Sequence, residues 1–562
     1  MASLHASLND IPLAAARLFN SIVEAATIPE HHNPQTASPI ANLSYATYYG
    51  TALPNGVSQW LGIRYAAPPT GARRFRRAEP PLPTAQIQNA ASHGPVCLPV
   101  QGAGDGTLPG TYDEDCLFID IYAPSRPRNT KKDLLPVMLW IQGGAFVELV
   151  NFNYNGSGLA TTGDVVVASF NYRVGPYGFL ANDELAAEGN LNLGLQDQRT
   201  AMRWVQEHIS AFGGDPSKVT LFGASVGGGS VPLQALAYGG RPPRAEEVTW
   251  RAGIGEAPYL PSVFSVAEQV FHYRDLLTAT NCSDINCLRS VTSEKIQSAN
   301  FAVPFPGQKS NALFAYGPVI DGSLLPDTPL NLLKEGRYLK DKPLILGSSR
   351  TEGTIFVPQA NTTAEVNSFL QAQFPNITND TLVKAQDLYK KTPKTLPGVN
   401  ITLAPLFLRA AELYGDASFF CPTLDFAQSF TKAEVPVHFF IDHIEDPIEV
   451  AAGYIVPHTW ELQGVWGPSN SVSSVALPGA NSYEPDKVNA GMVPILQKYW
   501  TSFARTAGDV NALKAKGAPI WKAFEDGNYV WLQSNSTRME RMQADLVAKC
   551  AFWKSVKTEL GQ

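Results

Sequence analysis

The chain has 562 residues, 44% of them hydrophobic and 17% charged, and its 43 basic and 50 acidic residues give a formal net charge of -7. This composition supplies a large apolar core and excludes a disordered protein. The slight acidic excess lacks the basic footprint of proteins that bind nucleic acid or anionic membranes. Because no run approaches the ~18 apolar residues of a membrane helix, we expect a soluble globular protein with neither partner.

The N-terminus differs in pattern from the rest of the chain. Residues 11–28 predict an amphipathic helix, and a Pro-, His- and Asn-rich linker follows to about residue 41. Arg17 interrupts the early apolar run and no basic segment precedes it, so a clean secretory signal is not predicted. We therefore predict an N-terminal extension over residues 1–40, a candidate for processing, and one α/β domain over residues 41–562.

Two features of the composition nevertheless indicate export. Asn-x-Ser/Thr sequons are acceptors for glycosylation, although such triplets also arise by chance in a chain rich in Asn and Thr. The candidate sites are Asn42, Asn155, Asn281, Asn361, Asn376, Asn379, Asn400 and Asn535. The six cysteines are even in number, but spacing alone cannot assign their pairing. A metal site is not predicted, because Cys282 and Cys287 have no second Cys or His pair nearby.

In chain order, the first buried strands are predicted from apolar, β-branched runs at 136–141 (PVMLWI) and 164–172 (DVVVASFNY). Apolar residues at helical spacing predict a helix over 195–212, and GGDP at 213–216 ends it. The next strand is predicted at 218–222 (KVTLF).

The segment after this strand carries the clearest indication of chemistry. GASVG at 223–227 matches G-x-S-x-G and leads into a helix predicted to end near residues 239–240. Such matches also occur by chance in a chain with 45 glycines. The strand–turn–helix context favours a nucleophile elbow, in which a strained turn exposes a serine. Ser225 is the candidate nucleophile.

Other motifs extend the pattern along the chain. They are GIRYA at 62–66, PP at 68–69, RF at 74–75, EDCLFIDI at 114–121, GLQDQ at 194–198 and FGGDP at 212–216. Together with GASVG they resemble the signatures of the type-B carboxylesterase/lipase family, which includes cholinesterases and fungal lipases. The resemblance runs from about residue 45 over almost the whole chain. It implies an α/β-hydrolase fold, with a large, mostly parallel central sheet flanked by helices, and a domain of carboxylesterase type over residues 41–562.

One stretch resembles secreted fungal carboxylesterases in particular. GGGSV at 227–231 and AYGG at 237–240 carry this likeness. Ser230, in the first of them, is expected to support the site.

A serine esterase also needs an acid and a base, which follow the nucleophile in that order in this fold. A predicted strand at 344–347 precedes SSRTEG, in which Glu352 resembles the Glu of the family's DEG motif. Asp321, in GPVIDG, is the rival acid, but the resemblance gives that motif a structural role.

Three histidines follow these acids. His438 lies inside a predicted apolar strand and His443 follows its end, so packing and hydrogen bonding are expected of both. His458 lies in a predicted loop that resembles the family's H-x-x-E-L segment. We therefore predict a catalytic triad of Ser225, Glu352 and His458.

An oxyanion hole is predicted from QGGAF at 142–146, which follows a strand and resembles the family's HGGGF loop. The resemblance assigns the backbone N–H groups of Gly144, Ala145 and Val226 as donors. A plain tight turn is the alternative.

Four positions depart from the family's pattern, and none of them removes a catalytic group. They are Gln142, Ala145, Ala224 and Val226. The β-branched Val226 is expected to narrow the acyl site. Loss of the family's Glu at position 224 removes a negative charge near the imidazole, which would lower the pKa of His458.

The resemblance further implies three disulfides. They are Cys97–Cys116, Cys282–Cys287 and Cys421–Cys550, with reduced cysteines as the alternative in a cytosolic protein. The implied activity is that of a secreted serine carboxylesterase on a small-molecule ester, without metal or organic cofactor. A non-catalytic, cholinesterase-like binding protein is one alternative, and the same chemistry on a lactone, thioester or biosynthetic intermediate is another.

The segment between Cys97 and Cys116 makes a poor lipase lid. Its apolar residues are Leu98, Val100, Leu108 and Tyr112, without helical spacing. It also lacks a tryptophan that could hold a cationic alcohol group. We therefore expect soluble short-chain or aromatic esters as substrates.

Overall fold

The computed structural model describes residues 38–102, 111–126, 134–149, 154–244, 248–471 and 476–562. The predicted helix over 11–28 and most of the linker after it lie outside these residues. Within the described ranges, no helix is both long and apolar enough to cross a membrane.

The chain forms eighteen described strands. They are β1 Ile40–Asn42, β2 Thr47–Tyr49, β3 Thr51–Ala52, β4 Val57–Arg64, β5 Ile87–Asn89, β6 Val96–Cys97, β7 Tyr112–Asp113, β8 Phe118–Pro124, β9 Leu135–Ile141, β10 Val166–Phe170, β11 Gly214–Ala224, β12 Ala252–Glu256, β13 Phe264–Ser265, β14 Val319–Ile320, β15 Leu344–Ser349, β16 Val437–Asp442, β17 Asn528–Leu532 and β18 Arg538–Arg541.

The described α-helices alternate with these strands. They are α1 Ser157–Gly163, α2 Gly175–Phe179, α3 Asp183–Ala187, α4 Leu193–His208, α5 Val226–Leu236, α6 Val266–Thr280, α7 Ile285–Ser290, α8 Ser293–Gln297, α9 Pro329–Lys334, α10 Thr363–Gln373, α11 Asn379–Leu388, α12 Phe407–Gly415, α13 Cys421–Lys432, α14 Pro447–Ala451, α15 Leu462–Trp466, α16 Met492–Thr506, α17 Ala544–Ser555 and α18 Lys557–Leu560.

Eleven strands form one mixed sheet in the order β18-β17-β16-β15-β12-β11-β9-β10-β8-β4-β3. The strands from β17 to β10 in this order are parallel, and antiparallel pairs extend the sheet at both edges. The sheet with its flanking helices is the predicted α/β-hydrolase fold.

The sheet is buried on both faces, which explains its continuous apolar runs. In β9, Val137, Leu139 and Ile141 pack into one hydrophobic cluster. Met138 and Trp140 alternate with them and pack into a second cluster. Because strand side chains alternate between faces, a strand between two helical layers must be apolar at every position.

The strands and helices predicted around the Ser225 motif are confirmed, with shifted ends. The helix predicted over 195–212 is α4, followed by a 3-10 turn at Ile209–Phe212. The strand predicted at 218–222 extends over β11.

The structure forms the three disulfides that the resemblance implies. Cys421–Cys550 joins the start of α13 to α17 across a sequence separation of 129, whereas Cys282–Cys287 closes a separation of 5.

We expect removal of the disulfide that closes the larger loop to destabilise the protein more than removal of the one that closes the smaller loop. The loop-entropy relation predicts that Cys421→Ser with Cys550→Ser lowers the free energy of unfolding by about 5 kcal/mol, and the matched Cys282→Ser with Cys287→Ser pair by about 2 kcal/mol. Urea denaturation of both variants measures the two losses. Equal losses would contradict a loop-length effect.

Candidate active site

The Ser225 turn joins β11 to α5 at the carboxyl edge of the parallel strands. Ser225 has φ 58° and ψ -128°, a strained conformation for a residue with a side chain. Its N–H donates to the Glu256 carbonyl at 3.0 Å, and its carbonyl accepts from the N–H groups of Gly229 at 2.8 Å and Tyr259 at 3.0 Å. These bonds stabilise the strained turn, and the serine remains half-buried.

Close backbone contacts require the glycines of this turn. A Cβ on Gly227 would lie 2.1 Å from the carbonyl oxygen of Ile141, and a Cβ on Gly223 would lie 2.6 Å from the same atom. The elbow therefore packs directly against the end of β9. A Cβ on Gly143 would lie 3.1 Å from the Cβ of Ser225, so the loop after β9 borders the serine.

This loop has a left-handed backbone at three successive residues, with φ 106° at Gly144, 61° at Ala145 and 59° at Phe146. Among the described residues, the N–H groups of Gly144 and Ala145 have no backbone acceptor. Val226 is the first residue of α5, so its N–H has no acceptor one turn earlier in the helix. Free N–H groups beside a serine can donate to an oxyanion.

Gln142, which departs from the family's pattern, anchors this loop. Its buried side-chain amide donates to the Phe170 carbonyl at 3.1 Å and to Oδ1 of Asn171 at 3.2 Å. Its own carbonyl accepts from the Tyr172 hydroxyl at 2.8 Å. The substitution therefore serves the loop's structure.

Glu352 and His458 are in direct contact. Glu352 begins a 3-10 helix, Glu352–Ile355, three residues after the end of β15. Its Oε2 contacts Nδ1 of His458, and its Oε1 accepts the Ser349 N–H at 2.5 Å. Both residues are 3% exposed. Because the carboxylate engages Nδ1, Nε2 is the nitrogen that can exchange a proton.

Thr351 links the two loops that carry this pair. Its hydroxyl lies 2.7 Å from the Tyr454 carbonyl and 2.8 Å from the Val456 carbonyl, and it accepts the Val456 N–H at 3.0 Å. The loop that leads to His458 is thereby bound beside Glu352.

Two phenylalanines hold the imidazole. The ring of Phe356 lies 5.2 Å from that of His458, and the ring of Phe419 lies 4.7 Å from it. Phe419 belongs to a π-helical segment, Asp416–Phe420, a feature that occurs often at functional sites.

The hydrogen bond between Ser225 and His458 is not formed in this structure. Nε2 of His458 has no hydrogen-bond partner among the described residues. The two residues are linked through Tyr259, which donates its N–H to Ser225 and packs 5.1 Å from Phe419. The structure thus brings Glu352 to His458, and it connects Ser225 to His458 through Tyr259 and Phe419.

The rival acid stabilises a turn. Oδ1 of Asp321 accepts the N–H groups of Ser323 at 2.8 Å and Leu325 at 2.9 Å, and its Oδ2 accepts from the Asn192 amide at 2.8 Å. With both oxygens bound to these groups, Asp321 has the structural role that the resemblance implies.

The two other histidines pack against tryptophans. His438 lies in β16 with its ring edge toward Trp521, and His443 stacks on Trp531 at 3.3 Å. Burial lowers the pKa of His438 to about 4 and that of His443 to about 3. Both are therefore neutral packing residues at pH 7.

Ser230 lies beneath the elbow. It is fully buried in α5, where its hydroxyl donates to the Val226 carbonyl at 2.8 Å and accepts from the Gln198 amide at 3.0 Å. It joins α5 to α4, which is a supporting position.

The sequon asparagines are accessible with one partial exception. Asn155 is half-buried, and its side-chain oxygen accepts the Ser157 N–H at 2.9 Å. The exposed ones are Asn42, Asn281, Asn361, Asn376, Asn379, Asn400 and Asn535.

The sequence did not predict two kinds of residue around this site. Phe419 is placed by the π-helical segment, for which the sequence gives no recognisable signal. Glu256 is a buried acid at the end of an apolar strand, and that anomaly in GIGEAP was visible in the sequence.

Comparisons with known proteins agree with this architecture. The sequence profile of the Carboxylesterase family matches residues 37–553. EstA of Aspergillus niger superimposes with a TM-score of 0.86 at 36% identity, over 94% of this chain and 99% of that one. Lipase 2 of Geotrichum candidum is 33% identical over 65% of this chain and 73% of its own length. Acetylcholinesterase of Bungarus fasciatus is 28% identical over 88% of this chain and 82% of its own length.

The fold and these relatives define a carboxylic ester hydrolase. The chain belongs to the carboxylesterase family, as its sequence motifs predicted.

Proposed function

We propose that the protein is a serine carboxylesterase that uses Ser225, His458 and Glu352. The observation that carries this proposal is the contact of Glu352 with Nδ1 of His458, which leaves Nε2 as the base. The strained Ser225 turn supports it independently. The open Ser225–His458 bond is compatible with it, because catalytic hydrogen bonds often tighten only when substrate binds.

The reaction proceeds in two halves. Nε2 of His458 takes the Ser225 hydroxyl proton while Oγ attacks the ester carbonyl carbon, and the N–H groups of Gly144, Ala145 and Val226 stabilise the oxyanion. The imidazolium then protonates the departing alcohol, which leaves an acyl-enzyme. Water, deprotonated by the same nitrogen, attacks the acyl carbon, and collapse of the second intermediate releases the acid and restores Ser225.

Aromatic side chains near Ser225 and His458 support the substrate class. Tyr259, whose N–H donates to the Ser225 carbonyl, packs 5.1 Å from Phe419, and the ring of Phe419 lies 4.7 Å from that of His458. The rings of Tyr259 and Phe314 are 4.1 Å apart. Aromatic surroundings of this kind favour apolar acyl or aromatic groups.

The described part of the Cys97–Cys116 segment supports soluble substrates. Val100 is buried, and its N–H donates to the Val147 carbonyl at 2.8 Å, next to the oxyanion loop. Leu98 and Tyr112 are partly buried against the core, while Leu108 lies outside the described residues. These three apolar side chains are therefore already packed and offer no face for a lipid surface.

We expect hydrolysis of soluble short-chain and aromatic esters without a rise in rate at the solubility limit. The measurement is kcat/KM over a chromogenic ester series of increasing chain length, compared with emulsified long-chain triglyceride. Faster turnover of the emulsion would contradict the substrate class. Absence of turnover on every ester would instead favour a binding protein, and selective turnover of lactones or thioesters would favour the other alternative.

We further propose that the protein is a secreted glycoprotein. The three disulfides and the seven exposed sequon asparagines support this proposal.

A further inference from the structure

Four carboxyl groups lie buried behind the imidazole. Glu256, Asp442 and Glu461 are each 0% exposed, and Glu352 is 3% exposed. Among the described residues none of them pairs with Lys or Arg, and the ion-pair contact of Glu352 is with His458. Neighbouring buried carboxyls cannot all be ionised, because each charge loses its hydration and repels the others.

The sheet register places Glu256 and Asp442 on one face. Glu256 is in register with Gly347 on β15, which is in register with Phe440 on β16. Asp442 lies two residues beyond Phe440, so its side chain projects from the same face. Trp500 of α16 covers this face and donates its Nε1–H to Oε1 of Glu256 at 2.8 Å.

Glu461 lies three residues after His458 and connects these acids to the loop that carries the imidazole. Four carboxyl oxygens lack a hydrogen-bond partner among the described residues. They are Oε1 and Oε2 of Glu461, Oε2 of Glu256 and Oδ2 of Asp442. Glu461 lies within electrostatic reach of Asp442, Glu256 and Glu352. Buried polar oxygens of this kind are usually linked by shared protons or ordered water.

Two tyrosines also face this acid cluster, which we define as Glu256, Asp442 and Glu461. Tyr154 lies within electrostatic reach of Glu256 and Glu461, and Tyr483 lies within reach of Asp442 and Glu461. Burial raises the pKa of both phenols, so they stay neutral and leave the carboxyls as the groups that titrate.

The pKa values of all three carboxyls are shifted in the same direction. Burial raises the pKa of Glu256 to about 8. Burial also raises the pKa of Asp442, and burial together with the neighbouring acids raises that of Glu461, both well above the usual range. The hydrogen bond from Trp500 favours the ionised form of Glu256.

We propose that Glu256 is a positioning residue for ester hydrolysis, which acts on His458 through Glu461 and Glu352. Its Cα is in register with that of Ala224, the residue before Ser225. Glu256 therefore supplies a carboxyl beside the elbow, whereas the alanine at position 224 supplies none. Ionised Glu256 adds a negative charge behind the imidazole and stabilises the imidazolium that forms when Ser225 loses its proton. This inference rests on the proposed function.

The test is the pH dependence of kcat/KM. Beyond the rise that an imidazole base produces in any such enzyme, the wild-type profile is expected to show a second rise near pH 8 as Glu256 ionises. Stabilisation of the imidazolium by this charge should make the second rise about three- to tenfold. Glu256→Gln keeps an acceptor for Trp500 but cannot ionise, so its profile should lack the second rise.

Glu449→Gln is the matched control. Glu449 is also 0% exposed, and its Oε1 accepts the Leu477 N–H at 2.6 Å while Oε2 has no partner in the described part of the chain. Burial raises its pKa to about 7, and its interacting groups among the described residues are Leu477 and Asp446, which lie outside the acid cluster. The control should keep the second rise. Persistence of that rise in Glu256→Gln, or its absence from the wild type, would overturn the proposal.

Infrared titration of the unliganded wild-type protein separates this proposal from the proposed function. A buried carboxylic acid C=O band that Glu449→Gln retains should disappear near pH 8, even if Glu256→Gln fails to fold. A protein with that band but no esterase activity would refute the proposed function and leave the cluster intact. An active protein without the band would overturn the role of Glu256 alone.

Discussion

Replacement of Ser225 by alanine is expected to lower kcat/KM for soluble esters by about 10⁴- to 10⁶-fold, because no other described group at the elbow can form the acyl-enzyme. The fold should remain intact, since the backbone bonds of the turn use only main-chain atoms. A fluorophosphonate probe should label Ser225 in the wild-type protein and leave the variant unlabelled, as peptide mass spectrometry can show.

Ser217→Ala is the control for this experiment. Ser217 lies on the same strand, β11, but is exposed at its start, where its hydroxyl donates to Asp215 at 2.6 Å. Its removal should leave both hydrolysis and labelling unchanged. Turnover retained by purified Ser225→Ala would refute the nucleophile.

The sequence predicted the parts of this protein that depend on local pattern. The buried strand β9 follows from an apolar run, and the elbow follows from glycines whose Cβ atoms would collide with the end of β9. Glu352 was proposed as the acid because it follows a predicted strand, and the structure ends β15 three residues before it.

Long-range contacts could not be predicted in the same way. The π-helical segment that brings Phe419 to the imidazole depends on packing among distant helices. The sequence also indicated that loss of the family's Glu at position 224 removes a negative charge near the imidazole. It could not show that Glu256 enters from the neighbouring strand, because register between β11 and β12 is a property of the assembled sheet.

Arg74 illustrates why separate sequence motifs occur together. Its guanidinium binds the Glu114 carboxylate through two hydrogen bonds, at 2.5 Å and 2.7 Å, and both side chains are buried. The RF and EDC motifs are therefore two halves of one buried ion pair. Removal of one partner from a buried ion pair strongly destabilises the protein, because it leaves an unpaired buried charge. Both motifs therefore have a structural reason to be present without a catalytic role.

Replacement of Glu352 by glutamine is expected to lower kcat by about 10²- to 10⁴-fold with a small change in KM. The carboxylate of Glu352 faces Nδ1 of His458, and an amide there cannot stabilise the imidazolium and can favour the wrong tautomer. His458→Ala should be impaired at least as severely. Ser225→Ala combined with either Glu352→Gln or His458→Ala should be no slower than Ser225→Ala alone, because the three residues act as a unit.

Asp321→Asn distinguishes this acid from its rival. The variant removes the same charge from a residue whose oxygens already bind Ser323, Leu325 and Asn192. Asp321→Asn should therefore lower the free energy of unfolding by about 1 kcal/mol, while kcat of the folded protein stays within about twofold of wild type. If Asp321→Asn were inactive and Glu352→Gln active, the acid would have to be reassigned to the loop after β14, and the contact between Glu352 and His458 would then serve only to hold the ring.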